Sequence, residues 1–98
     1  MAVTMRIRWL EKALCEVAEI TEYMGQDDVD TAKNAVSCIR ERIAGLAHQP
    51  NQGRPGRVTG TREPVMDKYP FIIPYRVRGE EVHILRVFHT SQKPPQKW

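Results

Sequence analysis

Ninety-eight residues allow one folded domain, and an apolar content of 41% is enough for a small core. Residues 1–49 carry six Lys/Arg against eight Asp/Glu, and residues 50–98 carry nine against four, so the basic excess lies in the second half. That half suits an anionic partner, either nucleic acid or an acidic protein segment, unless its basic groups only solvate one face. No apolar run is long enough to cross a membrane, and no apolar segment follows Arg6 and Arg8 as a secretion signal requires, so the expected compartment is the cytoplasm. Val3, Met5, Ile7 and Trp9 alternate with Thr4, Arg6 and Arg8, which predicts a strand with one buried face. Leu10, Leu14, Val17, Thr21 and Met24 then recur at helical spacing, with Ala13, Ala18 and Ile20 widening the stripe, Glu11, Glu16, Glu19 and Glu22 on much of the opposite side and Gly25 as a stop.

Asp27 or Asp28 can cap a second helix whose stripe is Val29, Ala32, Val36, Ile39, Ile43 and Leu46. The short connection makes the two helices antiparallel neighbours. Cys15 and Cys38 fall inside these helices near the apolar stripes, which predicts buried free thiols. Their spacing makes no zinc motif with His48, His83 or His89, and neither a metal nor a cofactor is expected. From His48 to Gly60 the glycines and prolines predict a loop presenting Arg54 and Arg57.

Three strands follow: Thr61–Met66, interrupted by Pro64, then Phe71–Arg78 and Val82–His89, joined by a tight turn near Gly79-Glu80. The predicted class is α+β: an N-terminal strand, a two-helix antiparallel hairpin, and a three-stranded antiparallel meander that completes a four-stranded sheet. The chain reads as a single domain, 1–98, with 91–98 an extended tail. In an unbroken hairpin, Phe71, Ile73, Tyr75, Val77, Val82, Ile84, Arg86 and Phe88 share the face toward the helices. Ile72, Pro74, Arg76 and Arg78, with Glu81 or His83, then Leu85, Val87 and His89, form a mixed apolar and basic outer face, which suits a partner. Arg86 is out of place among core residues. Either its head reaches an edge or a carboxylate, or a bulge shifts the register.

Gly56-Arg57-Val58-Thr59-Gly60-Thr61-Arg62-Glu63 resembles the Gly-Arg-x-x-Gly-Thr-Arg-Glu signature of the RelE/ParE toxin superfamily. Tyr69-Pro70-Phe71-Ile72-Ile73-Pro74-Tyr75-Arg76-Val77 and Val82-His83-Ile84-Leu85-Arg86-Val87-Phe88-His89 extend the resemblance, which is closer to the ParE-like branch. It implies the toxin of a type II toxin–antitoxin pair, neutralised by a cognate antitoxin and touching operator DNA only through it. The resemblance also implies one of two activities. A ParE-like toxin would bind DNA gyrase and block replication without a catalytic site; a RelE-like one would cleave messenger RNA on the ribosome.

Under the RelE-like reading the catalytic candidates are His89, Arg86 and Arg62, because cleavage needs a proton donor or acceptor and cations around the phosphate. Thr90 stands where several ribosome-dependent members place a tyrosine, the loop keeps only Arg54 and Arg57 as cations, and Lys68 is the substitute base. Arg54, Arg57, Arg62 and Arg76 are the candidates for target or nucleic-acid binding. Ile72, Arg76, Leu85 and Val87 are the candidates for antitoxin binding, and a homodimer within the toxin–antitoxin complex is a further possibility. The remaining alternative is a non-toxic nucleic-acid or protein-binding domain.

Overall fold

The computed structural model describes residues 4–98; the expectation for Val3 lies outside them. Strand β1 (Arg6–Trp9) leads directly into α1 (Glu11–Gly25), and α2 (Val29–Leu46) returns beside it. Asp28 is the cap between the helices: its Oδ1 accepts from the Asp30 and Thr31 amides at 2.9 and 3.4 Å. Two of the otherwise unpaired first-turn amides of α2 are satisfied in this way. The core side of α1 runs through Ala13 and Val17, with Ile20 packed against them, whereas Leu14 is 54% exposed. Ala13 and Ile20, expected to widen the stripe, thus hold its buried side with Val17, and Leu14 is the expected stripe residue that turns outward. Ala32, Ala35, Ile39, Ile43 and Leu46 form the buried side of α2.

The second half of the chain folds as a long hairpin in two ladders. In the outer ladder β3 (Tyr75–Arg78) pairs antiparallel with β4 (Glu81–Ile84), and β1 lies parallel on the other side of β4. The turn is Gly79-Glu80, with Gly79 at φ +59° and Glu80 at negative φ, as a type II′ turn requires. In the inner ladder β2 (Phe71–Ile72) pairs with β5 (Phe88–His89). The expected third strand is present as a broken edge. Arg62 and Tyr75 exchange backbone hydrogen bonds at 2.9 Å, and the Pro64 carbonyl accepts from Ile73 at 3.0 Å. Pro64 has no N–H to return, so the ladder falters there.

Between the two ladders the register shifts by one residue, since Tyr75 faces Ile84 but Ile72 faces Phe88. The extra residue is a β-bulge: the amides of Leu85 and Arg86 both point at the Pro74 carbonyl, at 2.9 and 3.4 Å. Beyond the bulge the alternation of side chains is inverted, which corrects the expected faces. Val87 is buried in the core cluster with Ile73, Tyr75, Val82 and Ile84, while Phe88 meets the chain's tail. His89 stands edge-on to Phe71, with ring centroids 5.3 Å apart, beside α1. Val77, expected in the core, lies at the tip of the hairpin and is 40% exposed. Cys38 is half-buried but Cys15 is exposed, which corrects the expectation of two buried thiols.

Candidate target-binding surface

The loop from Pro50 to Gly60 is held from beneath by two side chains of the sheet. The Tyr75 hydroxyl lies within donor reach of the Pro50 carbonyl at 2.7 Å and of the Gln52 carbonyl. Arg62 Nη1 donates to the Gly53 carbonyl at 2.9 Å. Tyr75 is fully buried, and that burial raises its phenol above the usual tyrosine range, against the smaller opposing influence of Arg62 and Arg42. Gly53 takes φ +93°, a conformation open to glycine and strained for other residues. At Gly56 the reason for glycine is space, because an added Cβ would collide with Thr61.

Glu63 organises the next layer. Its carboxylate is almost wholly buried and accepts from the Arg57 backbone amide at 2.8 Å and from Trp98 Nε1 at 3.2 Å. The Arg57 guanidinium lies over the Trp98 ring, 4.9 Å from its centroid, and Phe88 meets the same ring at 5.2 Å. The tail is therefore folded back onto the sheet. Arg54 and Arg57 remain exposed at the rim of a cleft that also includes Ile72, Phe88 and Thr90.

Arg86 resolves the anomaly noted in the sequence by both routes together. It sits in the bulge, and its Nε and Nη2 donate to the two carboxylate oxygens of Glu16 at 2.6 and 2.8 Å. Glu16 Oε1 also accepts from the Val87 amide at 3.2 Å, on the strand edge that β1 does not reach. Sequence reasoning placed Glu16 with the solvent-facing acidic residues of α1. Only the lone buried cation Arg86 signalled that a carboxylate must lie nearby.

The three residues considered for RNA cleavage do not line one pocket. Arg62 holds the loop, and Arg86 is bound to Glu16, which with Tyr23, Met24 and Pro70 lines the pocket that His89 borders. His89 Nδ1 accepts from the Ser91 amide at 3.1 Å, which leaves the ring proton on Nε2. Arg54 and Arg57 lie together on the loop, but Arg76 stands apart on the outer face of β3. Of the residues considered for antitoxin binding, Val87 is in the core, and Ile72 and Leu85 retain only 8% exposure each. Among the described residues no group of three His, Cys, Asp or Glu could hold a metal ion. No helix there is long and apolar enough to cross a membrane.

The sequence pattern of the ParE toxin of type II toxin–antitoxin systems, parDE, matches residues 7–94. The chain belongs to the ParE toxin family. Its similarity to one ParE-containing structure, the chromosomal ParDE toxin–antitoxin system from P. aeruginosa, has a TM-score of 0.80 at 34% identity, covering 88% of this chain and 96% of that one. It is 45% identical over 91 residues to the toxin candidate Y4kP of Sinorhizobium fredii, covering 93% of this chain and 94% of that protein. It is 28% identical over 87 residues to toxin RelE2 of Caulobacter vibrioides, covering 89% and 97%. The chain is thus a toxin of the RelE/ParE superfamily on its ParE side, with the α+β architecture expected of that group.

Proposed function

We propose that this toxin acts in the ParE manner, by binding DNA gyrase and blocking replication, and that a cognate antitoxin neutralises it. The supporting observation is the use already made of the candidate catalytic cations. Arg62 and Arg86 are bound to the Gly53 carbonyl and to Glu16, so neither is free to compensate charge on a scissile phosphate. Arg54 and Arg57, in contrast, are exposed on a loop braced by Tyr75, Arg62 and Glu63. That is a fixed surface for recognising a partner, with no further group needed for chemistry.

The test is direct. Purified toxin is added to gyrase in a supercoiling assay and, separately, to ribosomes translating a defined messenger. Loss of supercoiling with intact transcripts supports the proposal; codon-dependent cleavage with unaffected gyrase sinks it. The RelE-like reading keeps one observation in its favour. His89 borders an open pocket with a fixed tautomer, as a proton-transfer group requires.

A further inference from the structure

The outer face of the three-stranded sheet carries a set of charges that neither the loop nor the core uses. The register places Arg6, Glu81 and Arg78 side by side in one row and Arg8, His83 and Arg76 in the next. Their alternate neighbours Ile7, Trp9, Val82, Ile84 and Tyr75 pack into the core, so all six project away from the helices. Strands lie about 4.8 Å apart, which sets Arg8 and Arg76 about 10 Å from each other across His83.

The two rows differ in one respect. In the first, Glu81 stands between the arginines, 3.9 Å from Arg6 and 3.1 Å from His83 Nε2. In the second, the central position is a histidine, and the row has no carboxylate of its own. Two buried nitrogens in this row, Arg76 Nε and His83 Nδ1, have no hydrogen-bond partner among the described residues. Buried polar atoms are seldom left unpaired without a reason.

We propose that this face, centred on Arg8, His83 and Arg76, is a docking surface for an extended acidic segment of a partner protein. A carboxylate seated between Arg8 and Arg76 would repeat in the second row what Glu81 does in the first. Side chains two apart in an extended segment are separated by about 6.6 Å, which matches the spacing of the rows. Nucleic acid fits less well. The aromatic groups of these strands, Trp9 and Tyr75, point inward and offer no base a platform. The inference goes beyond the gyrase reading and does not depend on it.

The experiment titrates the full-length toxin with a fluorescein-labelled peptide of alternating Glu and Ser at low salt, read by anisotropy. An oligothymidylate of equal charge is the competitor. Arg8→Ala together with Arg76→Ala should weaken the peptide about fivefold, the scale of two exposed ion pairs. Glu81→Gln, which removes the competing carboxylate, should tighten it, and Lys33→Ala on α2 should leave it unchanged. Arg8 is exposed, so Arg8→Glu alone provides a version of the test that does not risk the fold. Equal binding by wild type and these variants overturns the proposal. So does tighter binding of the oligothymidylate through the same arginines. Self-association that Arg8→Glu abolishes would assign the face to a second copy of the chain and overturn it as well.

Discussion

Glu16 on α1 and Arg86 in the hairpin bulge, seventy positions apart, form a two-pronged ion pair with contacts of 2.6 and 2.8 Å. Both side chains are largely buried, at 14% and 10% exposure. Such a pair is weak evidence of net stabilisation, but removing one partner strands a charge in a dry place. Glu16→Ala should therefore destabilise the fold by about 3–5 kcal/mol, measured by urea unfolding. Glu16→Ala with Arg86→Met should recover a large part of the loss. If the double variant is as unstable as the sum of the singles, the two residues are not coupled.

Tyr75 supports a second prediction, at alkaline pH. Its phenol is raised above 10.0, first by burial, so the folded state holds the proton more tightly than the unfolded chain does. Above pH 10 the unfolded state therefore binds fewer protons, and stability falls as pH rises toward the folded value. Tyr75→Phe should flatten that alkaline decline while costing about 1 kcal/mol at neutral pH through the lost bond to the loop carbonyls. Amide exchange should quicken at Gln52 and Gly53. Unchanged exchange there would mean that the hydroxyl does not brace the loop.

At the other end of the scale, Asp28 is held below its ordinary value of 3.8, first by the Thr31 hydroxyl and then by the Thr31 and Asp30 amides. A depressed carboxyl contributes stability that is present above the unfolded value and lost as pH falls through the folded one. Asp28→Asn keeps a good capping residue and removes the titration. The variant should match the wild type near neutrality as closely as a neutral cap allows, with a shallower acid decline. An acid limb as steep as the wild type's would place the titration elsewhere.

Trp98 is a load on the loop that a truncation can remove. Deleting it exposes Phe88 and takes one donor from the buried Glu63. Trp98→Ala should cost about 1–2 kcal/mol, from partial burial of the indole and the hydrogen bond to a charged group. Helical circular dichroism should not change. A variant as stable as the wild type would show that the tail lies on the sheet without holding it.

His89→Ala separates the two activities. If His89 transfers protons in RNA cleavage, the variant should lose about 10²–10⁴-fold in rate. Under the gyrase reading, the same variant should still inhibit supercoiling. Retained cleavage at the wild-type rate would end any catalytic role for this ring.

The helices, the Asp28 cap and the Gly79-Glu80 turn were legible in the sequence because each depends on neighbours within a few residues. The bulge was legible as one of two readings of Arg86, but its place was not, although two signals were visible. Pro74 withholds a ladder donor, and Arg86 falls on a face where a charge has no place. Neither tells which of Leu85, Arg86 and Val87 is the extra residue, and that choice sends Val87 inward and Phe88 outward. The Arg62 and Glu63 roles were hidden for a related reason. A motif records that an arginine and a glutamate stand side by side, but their partners, Gly53 and Trp98, come from opposite directions along the chain.

The parallel pairing of β1 with β4 has a consequence for how the molecule is made. Residues 6–9 leave the ribosome some seventy positions ahead of 81–84, their only strand neighbour among the described residues. Until 81–84 follow, the helical hairpin has no sheet against which to bury Val17, Ile39 and Ile43. Contacts of such long sequence separation close slowly. A nascent copy thus lacks the sheet side of its core until residues 81–84 are free, and the toxin fold closes only then.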